Sequence, residues 1–179
     1  MYDKPLHQRG VYIVRQATLS IHQEEFSFSA GHFTIFSATE RECLHGHNYY
    51  VSVNFHFCIQ QNGLAFDYRL YKKKILAHCE QLDRHLLLPA HSPYLKLEDA
   101  GDYWHAYFNQ KKMYFLKEDV IILELENITI EELSHWFLTE LTIDKSALAA
   151  HGIHQITLNV FNGPGQSAGA TWSQDNDAT

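Results

Sequence analysis

The chain predicts an α+β fold, an antiparallel four-stranded sheet with helices packed on one face, and three observations carry that expectation. Two alternating segments precede two segments of helical period, and two further alternating segments follow them. Each alternating segment has one apolar face, the pattern of strands covered on one side only. The chain has 179 residues with 45% hydrophobic content, enough for one sizeable core and too little for two. A single domain over 11–173 is therefore expected, with polar, flexible ends at 1–10 and 174–179.

In the first strand, Phe26, Phe28, Ala30 and His32 share a face. In the second, His47, Tyr49, Val51, Val53, Phe55 and Phe57 are on the apolar side, opposite Asn48, Tyr50, Ser52, Asn54 and His56. Gln60-Gln61-Asn62-Gly63 marks a turn. Asp67 then caps a helix whose Tyr71, Ile75, Cys79, Leu82 and Leu86 fall at helical spacing, with Pro89 beyond its end. A second helix starts at Thr129, where Glu132 completes a capping box, Ile128 staples onto Leu133, and Leu133, Trp136, Phe137 and Leu141 form the stripe. Between the helices, about 90–125 reads as an inserted segment with short strands at 94–97, 103–108 and 113–116. The last strands, 153–161 and 168–172, flank Asn162-Gly163-Pro164-Gly165, a strong turn signal. Ile156, Leu158 and Val160 share the covered face, and that row ends at Asn162. Such a sheet leaves two edges open, so edge-to-edge oligomerisation is a natural solution.

A formal charge of −7 argues against nucleic-acid and membrane-surface partners. Cys43, Cys58 and Cys79 are odd in number without CxxC spacing, which suits a reducing compartment. With no apolar leader and no run long enough to span a bilayer, a cytoplasmic protein is expected.

Chemistry concentrates in Cys43-Leu44-His45-Gly46-His47-Asn48-Tyr49. Residues two apart on a strand share a face about 7 Å from each other, so His45 and His47 can converge on one ion. His32 ends the apolar row of the neighbouring strand and supplies a third ligand if the two strands pair as an antiparallel hairpin. Zinc is the candidate metal, and three protein ligands leave the fourth position open, as in catalytic sites. Most of the 13 histidines need no such role and read as surface or satisfied polar residues.

Taken together, Phe28-Ser29-Ala30-Gly31-His32, Leu44-His45-Gly46-His47-Asn48-Tyr49, Gly63-Leu64-Ala65-Phe66-Asp67-Tyr68, Leu82-Asp83, Thr129-Ile130-Glu131 and the 163–168 turn resemble the 6-pyruvoyl-tetrahydropterin synthase and 6-carboxytetrahydropterin synthase family. The resemblance covers most of 20–172. It implies the tunnelling fold, in which sheets of several subunits join into a barrel, usually a hexamer, and a zinc ion held by His32, His45 and His47. It also implies action on 7,8-dihydroneopterin triphosphate or a related pterin, in bacteria commonly on the route to queuosine. Thr129 and Glu131 match the family's pterin-contacting motif; as plain structure they are a helix cap and an N-terminal helix charge.

Three departures fall where that family places its chemistry. Arg41 stands at the position of the base cysteine, and Cys43, two residues closer, reads as a base, a metal ligand or a small packed residue. Arg84 follows Asp83 where a catalytic histidine is expected. On a helix the shift to His85 turns the imidazole by about 100°, so His85 substitutes only if the helix ends there, with Asp83 orienting it or pairing with Arg84. Asn162 stands for the glutamate that anchors the pterin, and a neutral amide cannot form the charge-assisted bidentate pair. Two readings follow: a zinc-dependent pterin lyase with rearranged catalytic residues Cys43, Asp83 and His85, or a catalytically reduced, zinc-bearing pterin- or purine-binding homologue. An unrelated three-histidine hydrolase is a more distant third.

Overall fold

The structure, a computed structural model, describes residues 15–59 and 63–175. The expected flexible ends, apart from Gln174 and Asp175, and the turn residues Gln60 to Asn62 lie outside them. Strands β1 (Arg15–His32) and β2 (His45–Ile59) form a long antiparallel hairpin in which His32 faces His45 and Ala30 faces His47. Strand β8 (Ile153–Gly163) pairs with β2, and β9 (Gln166–Ser173) pairs with β8, both antiparallel. These are the four strands that the alternation predicts.

A register shift in β1 decides which face His32 takes. Between His22 and Ser27 the pairing with β2 moves from Ser52 to Tyr50, so four residues of β1 stand against one of β2. An odd number of extra residues reverses which side chains point inward. Ile21 is buried before the bulge; Phe26, Phe28, Ala30 and His32 are buried after it. Without the bulge, that even-numbered row would face away from the core.

The covered face packs on α1 (Arg69–Leu82), α2 (Ile130–Thr142) and the short α3 (Lys145–Ala150). Tyr71, Ile75, Cys79 and Leu82 are the buried stripe of α1. Helix α1 begins one residue later than expected, with Asp67 accepting from the Arg69 amide at 3.0 Å rather than occupying the cap itself. On α2 the Thr129 hydroxyl accepts from the Glu132 amide, as the capping motif predicts, and Leu133, Phe137 and Leu141 are buried.

The sheet has six strands rather than four, because two short strands extend it past β1. Helix α1 stops at Leu82, and the chain enters β3 (His85–Pro89), which runs parallel to β1; β7 (Val120–Leu123) runs parallel to β3. Both are brief, largely apolar runs, HLLLP and VIIL, that suit a parallel edge. Leu86, assigned by periodicity to α1, therefore sits on β3.

The expected insertion thus divides. Strands β4 (Lys96–Ala100), β5 (Tyr103–Phe108) and β6 (Lys111–Leu116) form a separate antiparallel sheet, while β7 joins the main one. The small sheet closes a second core of Phe33, Ile35, Leu88, Leu95, Ala106, Phe108 and Val120, of which only Ala106 and Phe108 are its own. The other five come from flanking segments, so the inserted sheet is held through the chain around the β1–β2 connection. No helix among the described residues is long and apolar enough to cross a membrane.

Candidate metal centre

The hairpin places His32, His45 and His47 on one face at the end of β1 and β2, and their ligand-capable nitrogens lie within 4.8 Å of one another. Their ring centroids are 4.6 to 5.2 Å apart. Gly46, between the two strand-mates, carries no side chain where a Cβ would stand 3.1 Å from the Ala30 carbonyl oxygen. The sequence motif is thus a pair of ligands separated by the residue that lets the two strands approach.

Hydrogen bonds fix which nitrogen each ring presents. His32 Nδ1 lies 2.9 Å from the Ile128 carbonyl, and His45 Nδ1 lies 2.9 Å from the Cys43 carbonyl. A carbonyl only accepts, so both Nδ1 atoms carry the proton and both Nε2 atoms present lone pairs. His32 Nε2 is buried without a hydrogen-bond partner, and His45 Nε2 stands 3.0 Å from His47 Nε2. Nitrogens bound to one tetrahedral zinc at about 2.0–2.1 Å would stand roughly 3.3 Å apart. A buried orphan lone pair beside two converging imidazoles therefore fits a zinc-like ion. Burial lowers the His32 pKa; the Ile128 carbonyl partly opposes this, and His45 and His47 add to the lowering. Burial and His45 likewise lower His47. Both rings are thereby biased toward the neutral form that binds metal.

Glu42 is the functional candidate that the sequence reading missed. Its Oε2 accepts from the Thr34 amide at 2.9 Å, and its own amide donates to the Thr34 carbonyl at 2.9 Å. Burial raises its pKa, but the Thr34 hydrogen bonds and the imidazoles of His45 and His32 outweigh that and hold the carboxyl below its usual value. Its charge also acts on His47 and Tyr49. Strand parity selected 41, 43, 45 and 47 and passed over 42; the available signal was an acid three residues before His45, on a segment that is loop rather than strand.

Arg41 points away from the histidines. Its guanidinium lies 4.6 Å over the Phe33 ring and 5.8 Å from that of Phe108, donates to the Glu42 carbonyl at 2.6 Å, and approaches Met113 Sδ at 3.5 Å. Cys43 is exposed and meets the centre through its carbonyl. Among the described residues, the metal-capable cluster is the three histidines alone.

Asp83 and His85 stand outside the three-histidine cluster. Asp83 Oδ1 accepts from the Ser29 amide at 2.8 Å and its Oδ2 pairs with Arg84 at 3.0 Å, which together hold its pKa down against burial. Arg84 has φ 63°, a left-handed backbone that ends α1 and turns the chain into β3. His85 Nδ1 donates to the Asp83 carbonyl at 2.8 Å. Arg84 and His85 line a cavity of about 680 Å³ with His47, Ser29, Gly31, Asn48 and Asp119. His85 faces Ala30 in register, so by alternation it shares the core-facing side of the sheet with Ala30, Leu87 and the row that ends in His32. Thr129 and Glu131 begin α2 directly after Ile128, which holds His32. Asn162 follows Phe161, the partner of Tyr50, and its Oδ1 is buried without a hydrogen-bond partner.

The comparisons with known proteins agree with this geometry. The family described as 6-pyruvoyl tetrahydropterin synthase matches residues 21–171. A Methanocaldococcus jannaschii protein named putative 6-carboxy-5,6,7,8-tetrahydropterin synthase is 30% identical over 145 residues, covering 79% of this chain and 86% of its own. The solved 6-pyruvoyl tetrahydropterin synthase of Plasmodium falciparum matches with TM-score 0.83 at 30% identity, covering 88% of this chain and 98% of that one. The Plasmodium vivax enzyme, solved with a glutamate described as a catalytic residue replaced by alanine, matches with TM-score 0.84 at 29% identity, covering 89% and 99%.

Proposed function

The chain belongs to the 6-pyruvoyl tetrahydropterin synthase family, and on that premise we propose that it is a zinc-dependent lyase acting on 7,8-dihydroneopterin triphosphate or a closely related pterin. The observation that carries this reading is the convergence of His32, His45 and His47 beside the Glu42 carboxylate. When bound by the three imidazoles, zinc supplies Lewis-acid polarisation of the substrate's side-chain hydroxyls.

The chain's own residues supply the rest. His32 and His45, with Nδ1 protons held by backbone carbonyls, keep their Nε2 lone pairs aimed at one point. Glu42, ionised at neutral pH, takes a proton from the substrate side chain as general base. We give this role to Glu42 rather than Cys43 for two reasons. Its charge acts on all three imidazoles, and a glutamate is described as catalytic in the Plasmodium vivax relative. Thr129, Glu131 and Asn162 are the residues to which we assign pterin contact. Asn162's unpartnered buried oxygen can accept one hydrogen bond from the ring.

The open strand edges β7 and β9 suit assembly into a homo-oligomeric barrel, and we propose the hexamer. Asp83 and His85 stand outside the three-histidine cluster, and His85 lines one cavity with His47; we assign this pair a part in proton transfer at the site. Incubation of the zinc-loaded protein with 7,8-dihydroneopterin triphosphate, followed by mass spectrometry, tests the reading. A tetrahydropterin, or another pterin with a shortened or rearranged side chain, is expected. Tight binding of unchanged substrate would instead identify a catalytically reduced pterin-binding homologue, the reading that the neutral Asn162 favours.

A further inference from the structure

We propose that Asn127 is the positioning residue that joins the two halves of the centre, fixing His32 on one side and the Glu42 loop on the other through a single carboxamide. The inference rests on the metal-site reading above. Asn127 Nδ2 donates to the Ile35 carbonyl at 2.8 Å, and its Oδ1 accepts from the Ile35 amide at 3.1 Å. The side chain thus pairs with both backbone groups of Ile35, as a neighbouring strand residue would. The same Oδ1 accepts from the Ile128 amide at 3.0 Å, so the peptide that follows is tied to the loop. Ile128 in turn offers its carbonyl to His32 Nδ1.

Ile35 is also the start of the carboxylate half. It bridges to Arg41 across the loop, while Thr34, one residue before it, exchanges hydrogen bonds with both the amide and the carboxylate of Glu42. A continuous path therefore runs from Glu42 through Thr34 and Ile35 to Asn127, and from there through Ile128 to His32. Asn127 is the only side chain on that path between the two functional groups; the other links are backbone. Its geometry also requires a donor and an acceptor at fixed positions. Alanine removes both. Aspartate keeps the size but places an oxygen against the Ile35 carbonyl.

The test is zinc affinity of the purified full chain, measured by competition with a chromophoric chelator. Removing a partner that orients a ligating histidine weakens metal binding about 10- to 100-fold, and that loss is expected for both Asn127→Ala and Asn127→Asp. Leu148→Val, a truncation in the main core on α3, serves as the control for general loosening and is expected to bind zinc as the unmodified protein does. Unchanged affinity in the two Asn127 variants would overturn the proposal, as would an equal loss in Leu148→Val. At saturating zinc, Asn127→Asp is further expected to lose turnover in kcat with little change in KM, because Glu42 is displaced; a kcat equal to that of the unmodified protein would refute the link to Glu42. If one Asn127 variant does not fold, the other carries the zinc comparison. Absence of turnover in the unmodified zinc-loaded protein would count against the lyase reading and leave the zinc measurement standing.

Discussion

The histidine half and the carboxylate half of the centre are built by different means. His32, His45 and His47 sit on paired strands, where register and alternation aim each side chain and backbone carbonyls hold the rings of His32 and His45. Glu42 sits on a loop whose direction is set by Asn127, by Thr34 and by Arg41 lodged between Phe33 and the inserted sheet. The strand-built half should therefore lose its metal outright only when ligands are removed and weaken by degrees when a support such as Asn127 is cut, whereas the loop-built half should lose its function when a support is cut.

The sharpest break is on the strand side: with His45 and His47 both replaced by alanine, the protein should retain no stoichiometric zinc by elemental analysis. Stoichiometric metal in that double variant would dismiss the site. Next in size, Glu42→Gln should lower turnover by about 100- to 10,000-fold, the usual contribution of a positioned base, with zinc content unchanged. Loss of zinc in Glu42→Gln would make the carboxylate a ligand and erase the distinction between the halves.

Arg41→Ala probes the support. A cation over aromatic rings contributes about 0.5–2 kcal/mol, so a roughly tenfold fall in turnover at full zinc loading is expected, and none if the inserted sheet does not hold the loop. A smaller effect concerns pH. His32 and His47 titrate below their ordinary 6.5 in the folded metal-free protein, so the unfolded chain binds more protons and stability rises with pH through that window. The metal-free protein should melt at a lower temperature at pH 5 than at pH 7, and His32→Gln should flatten that slope. Cys43→Ala, at an exposed side chain that meets the centre only through its carbonyl, should change turnover least; abolished turnover would move the base from Glu42 to Cys43.

The metal ligands were legible because a strand's period of two is a local property: His32 ending one apolar row and His45 and His47 beginning another is visible without knowing the partner. The same reasoning passed over Glu42, because no fixed period relates side-chain direction to position in a loop. It also could not see the bulge between His22 and Ser27, which depends on which residue of β2 each residue of β1 meets.

The sequence by itself determined the antiparallel core, the two long helices and the three imidazoles, since each follows from periodicity or capping within a short stretch. Only the tertiary structure shows that Arg41 turns toward Phe108, that Asp83 pairs with the Ser29 amide and Arg84, and that β3 and β7 widen the sheet. Those outcomes depend on contacts between segments far apart in the chain, where packing and hydrogen-bond partners, rather than local preference, choose the direction of each side chain.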